Sequence, residues 1–313
     1  MGRTIGVVVS SRIVAGLVED HKLVGSLGAY PANPDDHEAL LEHPFESLCH
    51  LISDQVLALH PEGKFDAIGV AIPGIIRNGI CEDSPNLAQL KGANVADSLA
   101  AIFRSKGIDA PLKTLNDADA VAAGLAVTQG RTDRLVRVWT IGNGIGFGRF
   151  PYAAGVWEGG HMVVTLDPKE TYCGCGGRGH LEGIMGYRAM RLRFLDMEPE
   201  EVFAAAKKGD ARCMDFVRLW HRGLGAATAT SIHLGGPGRF YYTGLNVRFL
   251  DLNLLKEYLW QMVKMSPLQS YSLEVVPDSP EVAVIGAAAF TLFRNILDGA
   301  GAKASTQVNN IGN

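Results

Sequence analysis

Three short apolar runs separated by polar turns open the chain, and this pattern limits the fold more than any other feature. The runs lie in "RTIGVVVSSRIVAGLVEDHKLVGSLGAY", with breaks at Ser10-Ser11 and near Glu19-Asp20. Short runs rich in valine and isoleucine between polar pairs are typical of β-strands. The sequence therefore predicts an opening meander of three strands.

Strand and helix patterns alternate along the rest of the chain. Helices are expected over residues 35–60, 94–106, 199–208, 212–233, 249–265 and 281–298, with one more beginning just after Asn116. Strands are expected in "FDAIGVAIPG", "APLKTLN", "LVRVWTIGNGIGFGRF", "RFYYTG" and "SLEVVP". Because both halves combine strands with helices, the sequence predicts two α/β domains with a cleft between them.

The predicted domain limits follow these patterns. The first domain is expected to span residues 1–117 together with the end of the last helix at about 288–298, and the second to span residues 118–287. Residues 299–313 have too little apolar content to pack and are expected to form a mobile tail.

Composition excludes several classes of function. The 313 residues are 47% hydrophobic and carry a net charge of −4, so nothing favours binding to nucleic acid or to an anionic membrane. No apolar run reaches membrane-spanning length, and "MGRTIGVVVSS" lacks the pattern of a secretory signal. With five cysteines and no signal, the expectation is a cytoplasmic protein with reduced thiols.

Two further segments contain residues that could take part in a functional site. In "LNDADAVAAG", Asp117 and Asp119 begin a helix, where a carboxylate is most often a simple capping charge. In "TIGNGIGFGRF", glycines at alternate positions leave backbone N–H groups open to a phosphate. A tight hairpin is the alternative explanation of that glycine pattern.

Cysteine and histidine residues cluster in the segment that follows. His161, Cys173, Cys175 and His180 offer four nitrogen or sulfur ligands within 20 residues, the number needed for a closed, structural zinc site. A disulfide between cysteines one residue apart would be badly strained. A pair of free thiols in a flexible loop is the other alternative.

Taken in order, these motifs resemble the ROK (repressor, open reading frame, kinase) family of sugar kinases and sugar-responsive repressors. The resemblance runs from about Ile5 to about Leu297 and rests on "AIPGII", "SPNL", "NDADAVAAG", "TIGNGIGFG", "EGGH", "CGCGGRGHLE" and "VIGAAA". It implies two actin-like (ribonuclease H-like) α/β domains with a sugar and nucleotide cleft between them. Asp117 is implied to be the catalytic base. The implied sugar-binding residues are Gly74, Asn86, Asn116, Asp117, Glu158, His161 and Glu182.

The same resemblance implies nucleotide-binding residues and a structural Zn²⁺, and here the chain departs from the family. The implied nucleotide-binding positions are Ser10, Ser11, Arg12, Gly142, Asn143, Gly144, Gly146 and Gly244. The family's Asp-x-Gly-Gly-Thr phosphate motif is replaced, with Val8 at the Asp position and Arg12 at the Thr position. His180 replaces a cysteine ligand, Asn143 a threonine, and Leu245 a second glycine.

These departures leave three functional hypotheses open. The first is a sugar kinase that uses ATP and Mg²⁺ to phosphorylate a hexose or N-acylhexosamine, at its 6-OH. The second is a catalytically silent sugar-binding sensor, and the third is a kinase with another donor such as polyphosphate. Arg12 could bind phosphate, block the nucleotide site or be an ordinary turn residue. A homodimer is expected by analogy, and DNA binding is not, because the sequence begins directly in the first strand.

Overall fold

The computed structural model describes residues 2–33, 36, 38–60, 63–152 and 157–304, with only the backbone described over 293–304. The strands are β1 (Thr4–Val9), β2 (Ile13–Glu19), β3 (Lys22–Tyr30), β4 (Ala67–Ile72), β5 (Ile75–Arg77), β6 (Ile80–Asp83), β7 (Leu112–Asn116), β8 (Val136–Ile141), β9 (Ile145–Phe150), β10 (Arg239–Thr243) and β11 (Ser272–Val275). The α-helices are α1 (Phe45–Leu59), α2 (Val95–Ser105), α3 (Asp117–Thr128), α4 (Leu181–Met185), α5 (Tyr187–Arg193), α6 (Pro199–Lys207), α7 (Ala211–Gly235), α8 (Leu252–Met262) and α9 (Pro280–Ala304).

The chain divides into two compact units. The first unit comprises Met1–Thr132, Phe150–Ala154 and Ser279–Asn313, and the second comprises Asp133–Arg149 and Gly155–Asp278. Among the described residues, no helix has the length and apolar character needed to cross a membrane.

The first unit is built on a five-stranded mixed sheet in the order β3-β2-β1-β4-β7. The β1–β2 and β2–β3 pairs are antiparallel, which confirms the predicted opening meander. The β1–β4 and β4–β7 pairs are parallel. Such parallel neighbours need helical crossovers, and α1 and α2 supply them.

Helices cover both faces of this sheet. On one face Val7 belongs to a buried cluster with Leu48 of α1 and Leu99 of α2. On the other face Ala71 packs with Ala287 of α9. Successive residues of β1 and β4 therefore contribute to opposite layers, as the alternation of side chains along a strand requires.

The backbones of α3, α9 and the sheet approach one another so closely that no side chain fits between them at several positions. A Cβ added to Gly69 would lie 1.9 Å from the carbonyl oxygen of Ala287, and one added to Gly286 would lie 1.8 Å from that of Ala120. Real side chains cannot occupy such space, so glycine is required where the sheet, α3 and α9 meet.

The second unit contains a sheet in the order β11-β10-β8-β9, with β10 parallel to both β8 and β11. The long helix α7 fills its core through residues such as the fully buried Trp220. His221, beside it, faces the backbone of Val217 through Nδ1 at 2.8 Å and accepts the N–H of Asp251 at Nε2 at 2.9 Å. The ring is therefore held as the neutral tautomer with its proton on Nδ1.

Two features differ from the expectations. The helix expected over 35–60 begins only at Phe45, because Pro44 precedes it and a residue before proline disfavours helical geometry. Residues 35 and 37 of that range lie outside the described residues. The last helix continues to Ala304 rather than ending near 298, and residues 305–313 of the expected tail lie outside the described residues.

The division between the units also differs from the expected boundary at residue 117. Helix α3 and the whole of α9 belong to the first unit. The reason is the close packing of their backbones, since a Cβ on Gly124 of α3 would lie 1.9 Å from the Val282 carbonyl of α9.

Candidate functional site

In the first unit, the sugar-site candidates lie where two parallel strands end. Asn116, the last residue of β7, pairs in register with Ile72 at the end of β4, so Gly74 follows at the same edge of the sheet. The Asn116 side chain donates from Nδ2 to the Gly74 carbonyl at 3.0 Å. Its Oδ1 accepts the N–H of Ala118 at 2.8 Å and caps α3. The structure thus brings Gly74 and Asn116 together.

Asp117 is the first residue of α3 and is half-buried. Its Oδ1 accepts the N–H of Ala118 at 2.9 Å. The capping position itself belongs to Asn116, so capping alone does not account for the carboxylate at 117. Asn86 lies farther along, exposed on the segment after β6.

The altered N-terminal motif forms the turn between β1 and β2. The N–H of Ser10 donates to the carbonyl of Arg12 at 2.9 Å, which closes the turn. The Arg12 guanidinium donates from Nε to the Pro31 carbonyl at 2.9 Å and from Nη2 to the Ala32 carbonyl at 3.2 Å. Arg12 is therefore anchored to the chain that leaves β3 through two neutral carbonyl groups.

In the second unit, the four predicted metal ligands converge. The ligand atoms of His161, Cys173, Cys175 and His180 all lie within 4.8 Å of one another. The Cys173 Sγ is 3.4 Å from His161 Nδ1 and 3.4 Å from Cys175 Sγ, and Cys175 Sγ is 3.3 Å from His180 Nδ1. A tetrahedral zinc with its usual bond lengths separates such atoms by roughly 3.4–3.8 Å. The residues present therefore fit a small tetrahedral cation.

The Cys173 thiol needs a cation in order to ionise at neutral pH. Burial, the largest cause, raises the pKa of Cys173 to about 12, so without an ion this thiol stays protonated at neutral pH. A coordinated thiol is deprotonated outright. The separation of the two sulfur atoms is far longer than a disulfide bond, and both cysteines are free.

His180 fits in the loop because the residue beside it is a glycine. A Cβ on Gly177 would lie 2.0 Å from Cε1 of the His180 ring. The rings of His161 and His180 meet edge to face, with centroids 5.4 Å apart. The imidazole at position 180 is thus accommodated without displacing the other ligands.

His161 presents its two ring nitrogens to different neighbours. Nδ1 faces the sulfur of Cys173, while Nε2 lies 3.9 Å from Oε2 of Glu158. A ligand bond at Nδ1 leaves the proton on Nε2. The distance to Glu158 is too long for a direct hydrogen bond, and a hydroxyl beside both groups could accept from Nε2–H and donate to the carboxylate.

The glycine turn, residues 142–144, joins β8 to β9. The N–H of Gly142 donates to the Gly144 carbonyl at 3.0 Å, and Asn143 is exposed at the tip. Glu182 reaches this turn, because its Oε2 accepts the N–H of Ile145 at 3.0 Å. The other predicted nucleotide-site glycines are Gly146 within β9 and Gly244 after β10, the latter with φ +98°. Leu245 beside Gly244 is 65% exposed.

Three contributors to this region were not predicted. Asn246 donates from Nδ2 to the Gly142 carbonyl at 3.0 Å, and the N–H of Tyr187 donates to the same oxygen at 3.1 Å. Arg193 forms a buried ion pair with Glu170 at the base of the metal-ligand segment. Their partners are far away in the sequence or are backbone atoms, so no local pattern identifies them.

An N-acetylmannosamine kinase from Haemophilus influenzae is 31% identical over 194 residues, which is 58% of this chain and 60% of that protein. The match thus spans less than two thirds of that relative's length. A ROK hexokinase from Thermus thermophilus superposes with a TM-score of 0.72 at 22% identity, covering 91% of this chain and 96% of that one.

A ROK glucokinase from Streptomyces griseus, solved with glucose and AMPPNP, gives a TM-score of 0.70 at 21% identity, over 92% of this chain and 99% of that one. These structures confirm the predicted fold class, two actin-like α/β domains. The sequence model of the ROK family matches residues 36–289. The chain therefore belongs to the ROK family.

Proposed function

We propose that this protein is a sugar kinase that transfers the γ-phosphoryl group of ATP to a hydroxyl of a hexose or N-acylhexosamine, at the 6-OH. The observation that carries the proposal is the metal-ligand cluster, which orients His161 so that Nε2 and the Glu158 carboxylate lie beside each other. A sugar hydroxyl both donates and accepts hydrogen bonds, so an N–H next to a carboxylate suits it. The relatives named above act on sugars of these two types.

The reaction needs a base for the attacking hydroxyl. Asp117 accepts that proton as the hydroxyl oxygen bonds to the γ-phosphorus and ADP leaves. Gly74, Asn86 and Asn116 bind further hydroxyls in the first unit. Mg²⁺ bound to ATP would supply the positive charge that neutralises the phosphates.

In the second unit, Glu158, His161 and Glu182 bind the sugar, and zinc is the ion held by His161, Cys173, Cys175 and His180. Four protein ligands would leave zinc no open position, so the ion would supply only charge and rigidity. The glycine turn with Gly146 and Gly244 takes the nucleotide, as does the turn that contains Ser10, Ser11 and Arg12.

Asp117→Asn tests the assignment of the base. Asparagine keeps the shape of the side chain and an oxygen for the N–H of Ala118, but it accepts no proton. The turnover number is expected to fall by about 10²–10⁴-fold while sugar affinity stays roughly unchanged. An ADP-release assay with N-acetylmannosamine, N-acetylglucosamine, glucose and mannose measures the turnover number. Titration calorimetry with the same sugars measures the sugar affinity. Asp109→Asn, an exposed residue of the same unit, is the control. Wild-type turnover in Asp117→Asn would remove this residue from the mechanism.

A catalytically silent sugar sensor is the second candidate. It is favoured by Val8, which stands in β1 where the family has a metal-organising aspartate, and by the carbonyl contacts that anchor Arg12. Thermal-shift titrations of the wild type with the same sugars, with Mg-ATP and with polyphosphate separate the hypotheses. Stabilisation by sugar alone, without ADP release, supports the sensor. Sugar phosphorylation with polyphosphate but not with ATP supports the hypothesis of a kinase that uses polyphosphate as its phosphoryl donor.

A further inference from the structure

We propose that the metal loop, residues 170–180, sets the conformation of the glycine turn, so that loss of the metal ion weakens nucleotide binding at that turn. The nucleotide half of this inference rests on the proposed function. The link itself consists of contacts within the second unit, made by α4 and the start of α5.

The first contact runs through Glu182. The metal ligand His180 immediately precedes α4, and Glu182 lies in the first turn of that helix. Its Oε2 accepts the N–H of Ile145 at 3.0 Å, while its Oε1 lies 3.8 Å from the ligand sulfur of Cys173. One carboxylate therefore contacts both a metal ligand and the backbone at the end of the glycine turn.

The space around that carboxylate makes the contact specific. A Cβ on Gly144 would lie 2.6 Å from Oε2 of Glu182, well inside van der Waals contact. Glycine at position 144 thus lets the carboxylate approach the turn backbone. The sequence predicts that this glycine contributes to phosphate binding. Its lack of a side chain also allows the contact between Glu182 and the turn.

The second contact follows at the junction of α4 and α5. The N–H of Tyr187 donates to the Gly142 carbonyl at 3.1 Å. A Cβ on Gly186 would lie 2.7 Å from the Asn143 carbonyl, so the junction packs directly on the turn backbone. The segment from His180 to Tyr187 therefore packs against all three residues of the glycine turn and against Ile145, which follows it.

The metal ion is needed because α4 is short. A five-residue helix has almost no stability of its own, and its position depends on what holds its ends. At its start that anchor is His180. A Cβ on Gly183 would lie 2.8 Å from the backbone nitrogen of Cys173, so the helix also packs on the first cysteine. Releasing the four ligands frees the start of α4, and Glu182 with it.

Asn246 opposes this coupling, because its Nδ2 holds the Gly142 carbonyl independently of the metal loop. Loss of the ion should therefore loosen the turn on the Ile145 side and leave it anchored on the Gly142 side. This asymmetry distinguishes the proposed link from general unfolding of the second unit.

Amide hydrogen exchange tests the link without relying on activity. The full-length protein is measured as the zinc-loaded form, after removal of zinc by a chelator, and after zinc is restored. Protection of the Ile145 amide is expected to fall about tenfold or more in the stripped form, the effect of losing one hydrogen bond to a charged acceptor, and to recover with zinc. Unchanged protection of Ile145 would overturn the inference, as would equal loss throughout β8 and β10.

Variants assign the effect to the carboxylate. Zinc-loaded Glu182→Ala is expected to exchange at Ile145 as the stripped wild type does, with its zinc content unchanged. Glu182→Gln keeps an acceptor oxygen and should restore most of the protection. Glu257→Gln, on the exposed surface of α8, is the control and should match the wild type. Wild-type exchange in Glu182→Ala would overturn the role of Glu182.

Titration with Mg-AMPPNP separates this inference from the proposed function. Weaker binding by about tenfold or more in the stripped form, together with the exchange response, supports both. The exchange response without AMPPNP binding to either form supports the link and removes the nucleotide role of the turn. Equal AMPPNP affinity of the loaded and stripped forms overturns the inference and leaves the kinase proposal standing.

Discussion

Replacing Glu170 by glutamine tests whether a buried ion pair holds the base of the metal loop. Both oxygens of Glu170 accept hydrogen bonds from the two terminal nitrogens of Arg193, with Nη1 2.9 Å from Oε1. The Glu170 carbonyl accepts the N–H of Gly179 at 2.8 Å, which closes the loop around the cysteine ligands. The guanidinium also lies 4.4 Å from the ring centroid of Tyr172. The pair thus fixes the loop from a position outside the metal cluster.

Its burial sets the size of the expected effect. The Glu170 and Arg193 side chains are only 8% and 16% exposed. Removing one member of a buried pair leaves the other charge uncompensated and costs about 3–5 kcal/mol. Glutamine still offers one acceptor, and Arg193 keeps some contact with water, so the low end of about 3 kcal/mol applies. For a unit of this size that loss lowers the melting temperature by about 6–12 °C.

An exposed ion pair of the same geometry provides the control. Arg212 contacts Asp196 through two hydrogen bonds of 2.9 and 3.1 Å, but these side chains are 56% and 61% exposed. Solvent screens such a pair, so Asp196→Asn should leave the melting temperature unchanged. Differential scanning calorimetry of the zinc-saturated proteins at pH 7 measures both variants. Equal shifts in Glu170→Gln and Asp196→Asn would refute the argument from burial.

The remaining predictions concern two buried positions. Burial, as the largest cause, lowers the pKa of His221 below its usual 6.5. As the pH falls, this histidine therefore takes up a proton in the unfolded chain before it does so in the folded protein. The free energy of unfolding is thus expected to decline as the pH falls from about 7 to 5. Urea titrations across this range should show a smaller decline in His221→Gln, and a wild-type decline in the control His233→Gln on the exposed side of α7. Gly286→Ala forces a Cβ to 1.8 Å from the Ala120 carbonyl and should reduce the free energy of unfolding by about 1–3 kcal/mol or more. Gly223→Ala meets its nearest atom at an ordinary 3.4 Å, so its free energy of unfolding should stay equal or rise, and a comparable loss there would contradict the packing argument.

Much of the fold could be predicted because its elements have strong local patterns. The apolar run of β1 is buried on both sides, and α3 begins directly after Asn116 as expected, although the cap is Asn116 itself and not an aspartate. The start of α1 was misplaced because residues 38–43 carry helix-like apolar spacing, and Leu40 is indeed buried, but in a turn ahead of Pro44. Helices α4 and α5 were missed because elements this short show too few turns for a periodic pattern.

Local sequence patterns predict some features of the candidate site, whereas others depend on contacts between residues that are far apart in the sequence. The convergence of the four candidate metal ligands could be predicted because their chemistry lies in their own side chains, which are close together in sequence. The contacts that fix the glycine turn could not, since Asn246 lies 104 residues from Gly142 and binds its backbone carbonyl. Every residue type has the same backbone carbonyl, so the sequence does not show which carbonyl will accept such a hydrogen bond. Glu182 was assigned to the sugar from sequence, and its bond to the Ile145 N–H depends on how α4 meets β9.

The contacts of Arg12 limit what the altered N-terminal turn can do. Its guanidinium is held by two neutral carbonyls, so this cationic group has a fixed position at the turn where the resemblance to the family implies groups that organise magnesium. A fixed cation repels Mg²⁺ and attracts phosphate oxygens. The side chain of Val8 has no atom that could ligate a metal. For the proposed kinase we therefore expect magnesium to arrive on the nucleotide, and we expect the Arg12 guanidinium to favour an anionic donor.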